Sequence, residues 1–260
     1  MSESLVTFSA EDAVGFITLN RPPANSLEIS FMRELDAAIV TANDAVEVKA
    51  IVVKSASEKF FSVGADIKAF HANDVADNVQ LIHVSHQTLN KIATSEKIFI
   101  AAINGYALGG GFEVALACDL RFAAEGSYTI GLPEVTLGLL PGAGGTQRLS
   151  RLIGNNLALE LMITGERVSP EKALELGIVN RLFQAGKLLA ATEAFARRLT
   201  EGATVAIGAI KQAVHRGTDS GLSAGLALER DLIEMLFNTD DAQEGFAAFT
   251  EKRPPVFRGS

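Results

Sequence analysis

A single cysteine in 260 residues leaves no internal disulfide to form. Cys118 therefore fits a reducing compartment, and its place after an apolar run reads as a small buried hydrophobe. Positive charge is short as well. The chain has 23 Lys and Arg against 31 Asp and Glu, a net charge of −8, where a nucleic-acid binder would need a basic patch. That balance still allows a local basic pocket for a phosphorylated ligand. No apolar run is long and uninterrupted enough to span a bilayer. The first residues, MSESLVTF, lack the basic start and apolar run of a secretory signal and the arginine-rich pattern of a transit peptide. Low-complexity tracts and a repeat of fixed length are missing too. These absences predict a soluble, cytoplasmic protein with no membrane and no nucleic-acid partner.

Familiar catalytic fingerprints are also lacking. There is no GxSxG nucleophile elbow, which argues against a serine hydrolase of that type. The stretch Gly142-Ala143-Gly144-Gly145-Thr146-Gln147 has Gln where GxGxxG needs its last glycine, and no loop runs into GKS or GKT. His71, His83, His86 and His215 form no metal-ligand set with nearby Cys or paired acids, so no metal is expected.

What is present is a chain that is 48% hydrophobic, ordinary for a packed core, and long enough for one large domain. Its first half alternates short apolar runs with helical patterns. Val14 to Leu19, Lys49 to Lys54, Phe60 to Ala65 and Ile98 to Ile103 read as strands. A helix is expected after an N-cap at Ser30, and another from Leu81 to Ile92. Strands separated by helices predict parallel pairing and an α/β fold. From Gly144 onward the chain reads as mostly helical, near 155–163, 170–176, 187–201, 203–215, 221–237 and 240–251, with one strand at Ile178 to Phe183.

Two glycine turns stand out. The first is Phe61-Ser62-Val63-Gly64-Ala65-Asp66-Ile67-Lys68, a strand end with a helix starting near Asp66. The second is Gly105-Tyr106-Ala107-Leu108-Gly109-Gly110-Gly111-Phe112-Glu113, followed by the apolar run Val114 to Ala117. Backbone N–H groups at a helix start have no intrahelical acceptor and suit an anion or a developing oxyanion. Taken singly, such glycines are more often plain chain punctuation. Glu113 and Glu134, the latter in Gly131-Leu132-Pro133-Glu134, are carboxylates at the edges of apolar sequence. Each alone is more often a helix-start charge than a catalyst. Beside a pair of oxyanion donors, one could take a proton from water while the other holds that water or passes a proton to carbon.

The motifs FSVGADIK, IAAINGYALGGGFEVALACDLRFAA and GLPEVTLGLLPGAGGTQRL, in this order, resemble the crotonase (enoyl-CoA hydratase/isomerase) superfamily. The likeness runs from ITLNRPPANSL to GFAAFTEKRPPVF, nearly the whole chain. It implies the crotonase (ClpP-like) fold: a core of repeated ββα units, here 1–195, with a helical trimerisation region, here 196–260. It implies homotrimers or homohexamers built as dimers of trimers. The ligand it implies is an acyl-CoA thioester, with no separate cofactor because coenzyme A is part of the substrate. On this sequence the oxyanion hole would be the N–H groups of Ala65 and Gly110. Glu113 would act on the attacking water; Glu134 would help hold it and exchange a proton with the α-carbon. The backbone around Val63, Gly64, Ala65, Asp66 and Ile67 would meet adenine, and Lys68 the phosphates. Val63 stands where such a motif usually has alanine, but its expected contact is through the backbone carbonyl. Ala24 and Ser26 would lie along the CoA. Leu108, Pro133, Leu137 and Gly138 would line the acyl side, Gly109 would be among the substrate-binding residues, and Lys252 would reach a neighbouring subunit's CoA phosphate. The activity implied is syn hydration of a trans-2-enoyl-CoA. Alternatives within the family are double-bond isomerisation, which can run on the second glutamate alone, and other acyl-CoA lyase or hydrolase reactions. An RNA-binding homologue would need a lysine-rich helix, and none is visible.

Overall fold

The computed structural model describes residues 4–260; the first three residues of the MSESLVTF stretch lie outside the described residues. In chain order the first half runs β1 (Val6–Glu11), β2 (Val14–Leu19), α1 (Ile29–Asp44), β3 (Ala50–Ser55), β4 (Phe60–Ser62), α2 (Ile67–Ala72) and α3 (Val75–Thr94). Then come β5 (Ile98–Ile103), β6 (Tyr106–Leu108), α4 (Gly110–Ala117), β7 (Leu120–Ala124), β8 (Ile130–Gly131) and a single 3-10 turn, Glu134–Leu137. The remainder is α5 (Gly145–Ile153), α6 (Asn155–Thr164), β9 (Arg167–Val168), α7 (Pro170–Glu175), β10 (Arg181–Phe183), α8 (Leu188–Thr200), α9 (Thr204–Asp219), α10 (Leu222–Phe237) and α11 (Asp240–Glu251).

Six strands form one sheet in the order β1-β2-β3-β5-β7-β10, parallel except where β1 pairs antiparallel with β2. Its central strands read as continuous apolar runs because both faces are covered. Val52, Ile100 and Phe122 pack toward α8, while Ile51, Phe99 and Ala123 belong to the larger core under α1 and α3. The second sheet, β4-β6-β8-β9, is parallel through its first three strands. A strand–strand–helix rhythm links the two sheets. The pairs β3/β4, β5/β6 and β7/β8 each send their first strand to the large sheet and their second to the small one. A turn and a helical segment follow each second strand. The carboxyl ends of β4, β6 and β8 therefore lie side by side, the end of a parallel sheet where ligands characteristically bind.

Several local expectations shift. Helix α1 begins two residues earlier than expected: Glu28 is the N-cap, and Ser30 sits inside the helix donating its hydroxyl to Glu28 Oε1 at 2.8 Å. The strand expected over Ile178 to Phe183 shrinks to β10. Ile178 and Val179 instead close the end of α7 by donating their N–H groups to Ala173 O. The expected start at Asp66 holds, with its carboxylate accepting from Ala69 N at 3.3 Å.

Helix α8 spans residues 195 and 196 and buries Leu188, Thr192 and Ala196. Farther on, Lys211 of α9 ties the helical region to the sheet. Its Nζ is buried and donates to Ile92 O, Lys97 O and Asp119 Oδ2 at 2.8–2.9 Å. Removing one partner of a buried pair strands the other charge. Lys211→Ala is expected to lower stability by about 3 kcal/mol, read as a lower urea midpoint at unchanged slope. No helix among the described residues is long and apolar enough to cross a membrane.

Candidate active site

The site is built from the three adjacent strand ends. After β4 the chain turns through Val63-Gly64-Ala65. This turn is held from outside by the Ala24-to-Leu27 loop: Val63 N donates to Ala24 O (3.1 Å), Leu27 N to Gly64 O (2.8 Å) and Asp66 N to Leu27 O (3.0 Å). Asn25 is buried within that loop and donates through Nδ2 to Ser55 Oγ (2.8 Å) and Phe61 O (2.9 Å). Arg21 closes the outer side, pairing with Asp66 at 3.2 Å and donating to Ser26 O at 3.0 Å and to the Ser26 hydroxyl.

After β6 the chain turns at Gly109 into α4. The two turns touch. Gly64 has φ +82°, and a Cβ there would lie 2.6 Å from Leu108 O and 2.8 Å from Gly110 N. Only glycine lets the backbones approach this closely in this conformation. Ala65 N–H and Gly110 N–H, one on each turn, donate to no group of the chain among the described residues. For Gly110 this is the ordinary state of a first helical residue.

The two carboxylates reach the same turn at adjacent residues. A Cβ at Gly110 would lie 3.8 Å from Glu113 Oε2, and one at Gly109 would lie 3.1 Å from Glu134 Oε1. Glu113, one turn into α4, is 2% exposed. Its Oε1 accepts from Ala143 N and Gly145 N, both at 2.7 Å. Burial pushes its carboxyl above the usual range, while these two N–H groups and the Arg148 guanidinium pull it back. Glu134 opens the 3-10 turn after β8. Its Oε2 is buried with no hydrogen-bond partner among the described residues. Burial raises its carboxyl to about 7, and the charge of Glu113 adds to the rise. The environments thus sort the pair. Glu113 is the better anion, held by two donors, and Glu134 the better acid, with an oxygen that nothing in the chain stabilises when charged.

The fold therefore brings together Val63, Gly64, Ala65, Leu108, Gly109, Gly110, Glu113 and Glu134, with Pro133 leading into the 3-10 turn and Ala24 and Ser26 on the flanking loop. Ile67 and Lys68 sit exposed on α2 just beyond. Leu137 is exposed at the far end of the 3-10 turn, and Gly138 ends it with φ +72°. Lys252 caps α11 with φ +57°, exposed and hydrogen-bonded to none of these residues. The residues that sequence reading passed over are Ala143, Gly145, Arg148, Arg21 and Asn25. The visible signal for the first three is the glycine-rich run from Gly142 to Gln147 and the arginine that follows it, which the sequence offers as part of a family-like motif but with no role for these residues. Cys118 is buried, and its thiol is pushed up to about 12, mainly by burial.

Stacked strand–strand–helix units with glycine turns and a sorted carboxylate pair at one sheet end define an α/β protein of the crotonase class. The chain belongs to the enoyl-CoA hydratase/isomerase family, whose model matches residues 9–260. It is 36% identical over 249 residues to the short-chain-enoyl-CoA hydratase of Clostridium acetobutylicum, covering 95% of both chains. It is 38% identical to the 2,3-dehydroadipyl-CoA hydratase of Escherichia coli over the full length of both. The crystal structure of an enoyl-CoA hydratase from Geobacillus kaustophilus superposes with a TM-score of 0.97 at 42% identity, covering 100% of this chain and 98% of that one.

Proposed function

We propose that this protein is an enoyl-CoA hydratase, adding water reversibly and syn across the double bond of a trans-2-enoyl-CoA to give the 3-hydroxyacyl-CoA. The observation that carries this reading is the convergence of Glu113 and Glu134 on a turn that presents two unengaged N–H groups. Those groups, from Ala65 and Gly110, hold the thioester oxygen as it gains charge, where preorganised donors contribute most. Glu113 takes a proton from water as the water oxygen bonds to the β-carbon. The double-bond electrons move onto the thioester oxygen as an enolate. Glu134 then gives its proton to the α-carbon. The water O–H, the Glu134 O–H and the C=C π bond break; an O–H bond on Glu113, one C–O and one C–H bond form, so the proton that began on Glu134 is replaced by one on Glu113. Exchange with solvent resets the pair, and dehydration uses the reverse distribution.

The rest of the binding reading follows the flanking elements. The Val63-to-Ile67 backbone, Ala24, Ser26 and Lys68 meet coenzyme A, with Lys252 reaching across from a neighbouring subunit. Leu108, Pro133, Leu137 and Gly138 line the acyl side. No separate cofactor takes part. A homotrimer, single or stacked as a hexamer, is supported by the helical region. Helix α10 buries none of its residues within the chain, and Leu222, Phe237 and Phe249 are exposed. A cytoplasmic location is supported by the lone, buried thiol.

Hydration requires one proton on the pair, on Glu134. Its carboxyl titrates at about 7, so kcat/KM for hydration is expected to fall as pH rises through that value. It falls again in acid, where Glu113 takes up a proton and can no longer act as base. The test is the loss of conjugated-enoyl absorbance of crotonyl-CoA, followed across pH. No hydration of any short or medium enoyl-CoA overturns the reading; a profile flat across neutral pH overturns the assignment of Glu134 as the acid.

A further inference from the structure

The loop that holds Glu113 is itself held. Ala143 N and Gly145 N point at Glu113 Oε1 only if the chain between them keeps its shape, and Gly144, at φ +106°, is the corner. Arg148, one turn into α5, fills the space against that corner. Its Nη1 donates to Ala143 O at 2.8 Å and its Nη2 to Asn90 Oδ1 of α3 at 3.2 Å. A Cβ at Gly144 would collide with the guanidinium, so the corner and the arginine are shaped to each other.

We infer that Arg148 is a positioning residue for Glu113: it clamps the loop whose two N–H groups grip the carboxylate, and it places a cation behind that grip. The inference rests on Glu113 being the base of the proposed reaction. Its physical content is separate, because it concerns the charge state and placement of one carboxylate.

The surroundings leave few rivals. From the 3-10 turn, Glu134 faces Glu113 with like charge, and behind Arg148 lies the Cys118 thiol. Strand β4 brings no titratable side chain; β6 brings Tyr106, which donates to Ser127 O. Helix α3 leaves His83 and His86 exposed and pairs Lys91 with Asp36. Arg148 is thus the one cation among the described residues set to offset the burial of Glu113. Burial holds the half-buried Arg148 guanidinium below its ordinary value, and the charge of Glu113 partly offsets that fall. The guanidinium is also geometrically apt. It bonds a carbonyl and an amide at once, which a lysine does only in part.

The test is to follow the Glu113 carboxyl directly, by ¹³C-glutamate NMR titration assigned with Glu113→Gln, in wild type, Arg148→Gln and Arg148→Lys. With the charge gone, Glu113 is expected to titrate measurably higher in Arg148→Gln, and close to wild type in Arg148→Lys. The acidic limb of kcat/KM should move upward with it, and kcat should fall about tenfold in Arg148→Gln with partial rescue by Lys. An unmoved Glu113 titration in Arg148→Gln overturns the inference, whatever happens to the melting temperature. If Arg148→Gln does not fold, Arg148→Lys decides. A wild-type titration with kcat lowered severalfold supports the clamp, and wild-type kcat and KM overturn it. If the NMR shift occurs while the acidic limb stays put, Arg148 acts on Glu113 as inferred and it is the assignment of Glu113 as base that fails.

Discussion

Glu113→Gln is expected to cut kcat for enoyl-CoA hydration by about 10²–10⁴-fold while leaving the fold intact, the range typical of losing a positioned general base. The reason the fold survives is local. Glu113 Oε1 accepts two backbone N–H bonds, and a glutamine carbonyl oxygen can accept the same two. The substitution removes proton affinity from the site without stranding Ala143 or Gly145. KM should change little, since the lost interaction belongs to the water and not to the thioester. Crotonyl-CoA absorbance gives the rate, and thermal unfolding checks the fold. An unchanged rate would remove Glu113 from the reaction. A variant that loses hydration but still shifts the double bond of a 3-enoyl-CoA would show that Glu134 works alone as a proton carrier.

How much of this was legible beforehand depended on whether the signal was local. The strands Val14–Leu19 and Ile98–Ile103 match their expected spans because they are apolar runs bounded by breakers. The C-terminal helices are likewise close to expectation, since each carries its own periodicity. What the residues could not announce was pairing. Strands β8 and β9 are two residues each, too short to leave a pattern, and exist because Ile130 and Gly131 find Val168 and Arg167 across the sheet. The N-cap moved from Ser30 to Glu28 because the start of α1 is set by where the chain leaves the Ala65 bridge at Leu27, not by the best capping side chain nearby. The glutamates were visible as candidates, but not their difference. Nothing in GLPE or GGFE says that one carboxylate is met by two N–H groups and the other by none. That asymmetry comes from the Gly142-to-Gln147 loop folding back over α4, a contact thirty residues away in sequence.

Gly64→Ala is expected to be the most damaging single methyl in the site. The residue has φ +82°, which costs an alanine about 1–2 kcal/mol before any contact is counted. The contacts then add to it. The new Cβ would meet Leu108 O and Gly110 N, both backbone atoms of the partner turn, so no side chain can swing aside to relieve the clash. The turns must separate, and with them the N–H groups of Ala65 and Gly110. Donors that no longer converge on one oxygen lose their preference for the enolate, and kcat should fall by about 10²–10³-fold, the effect of deleting one such donor. Gly177→Ala separates the two causes. Gly177 also has a left-handed φ, +73°, but no atom lies within 4 Å of its would-be Cβ, and it stands at the end of α7 away from the strand ends. It should lose comparable intrinsic stability and keep its rate. Stability is read by urea denaturation and kcat by crotonyl-CoA hydration. Equal kcat in the two variants would mean that the Gly64 turn does not set the geometry at Gly110. A selective loss in Gly64→Ala would show that the spacing of the two turns, more than either turn by itself, is what the catalytic geometry depends on.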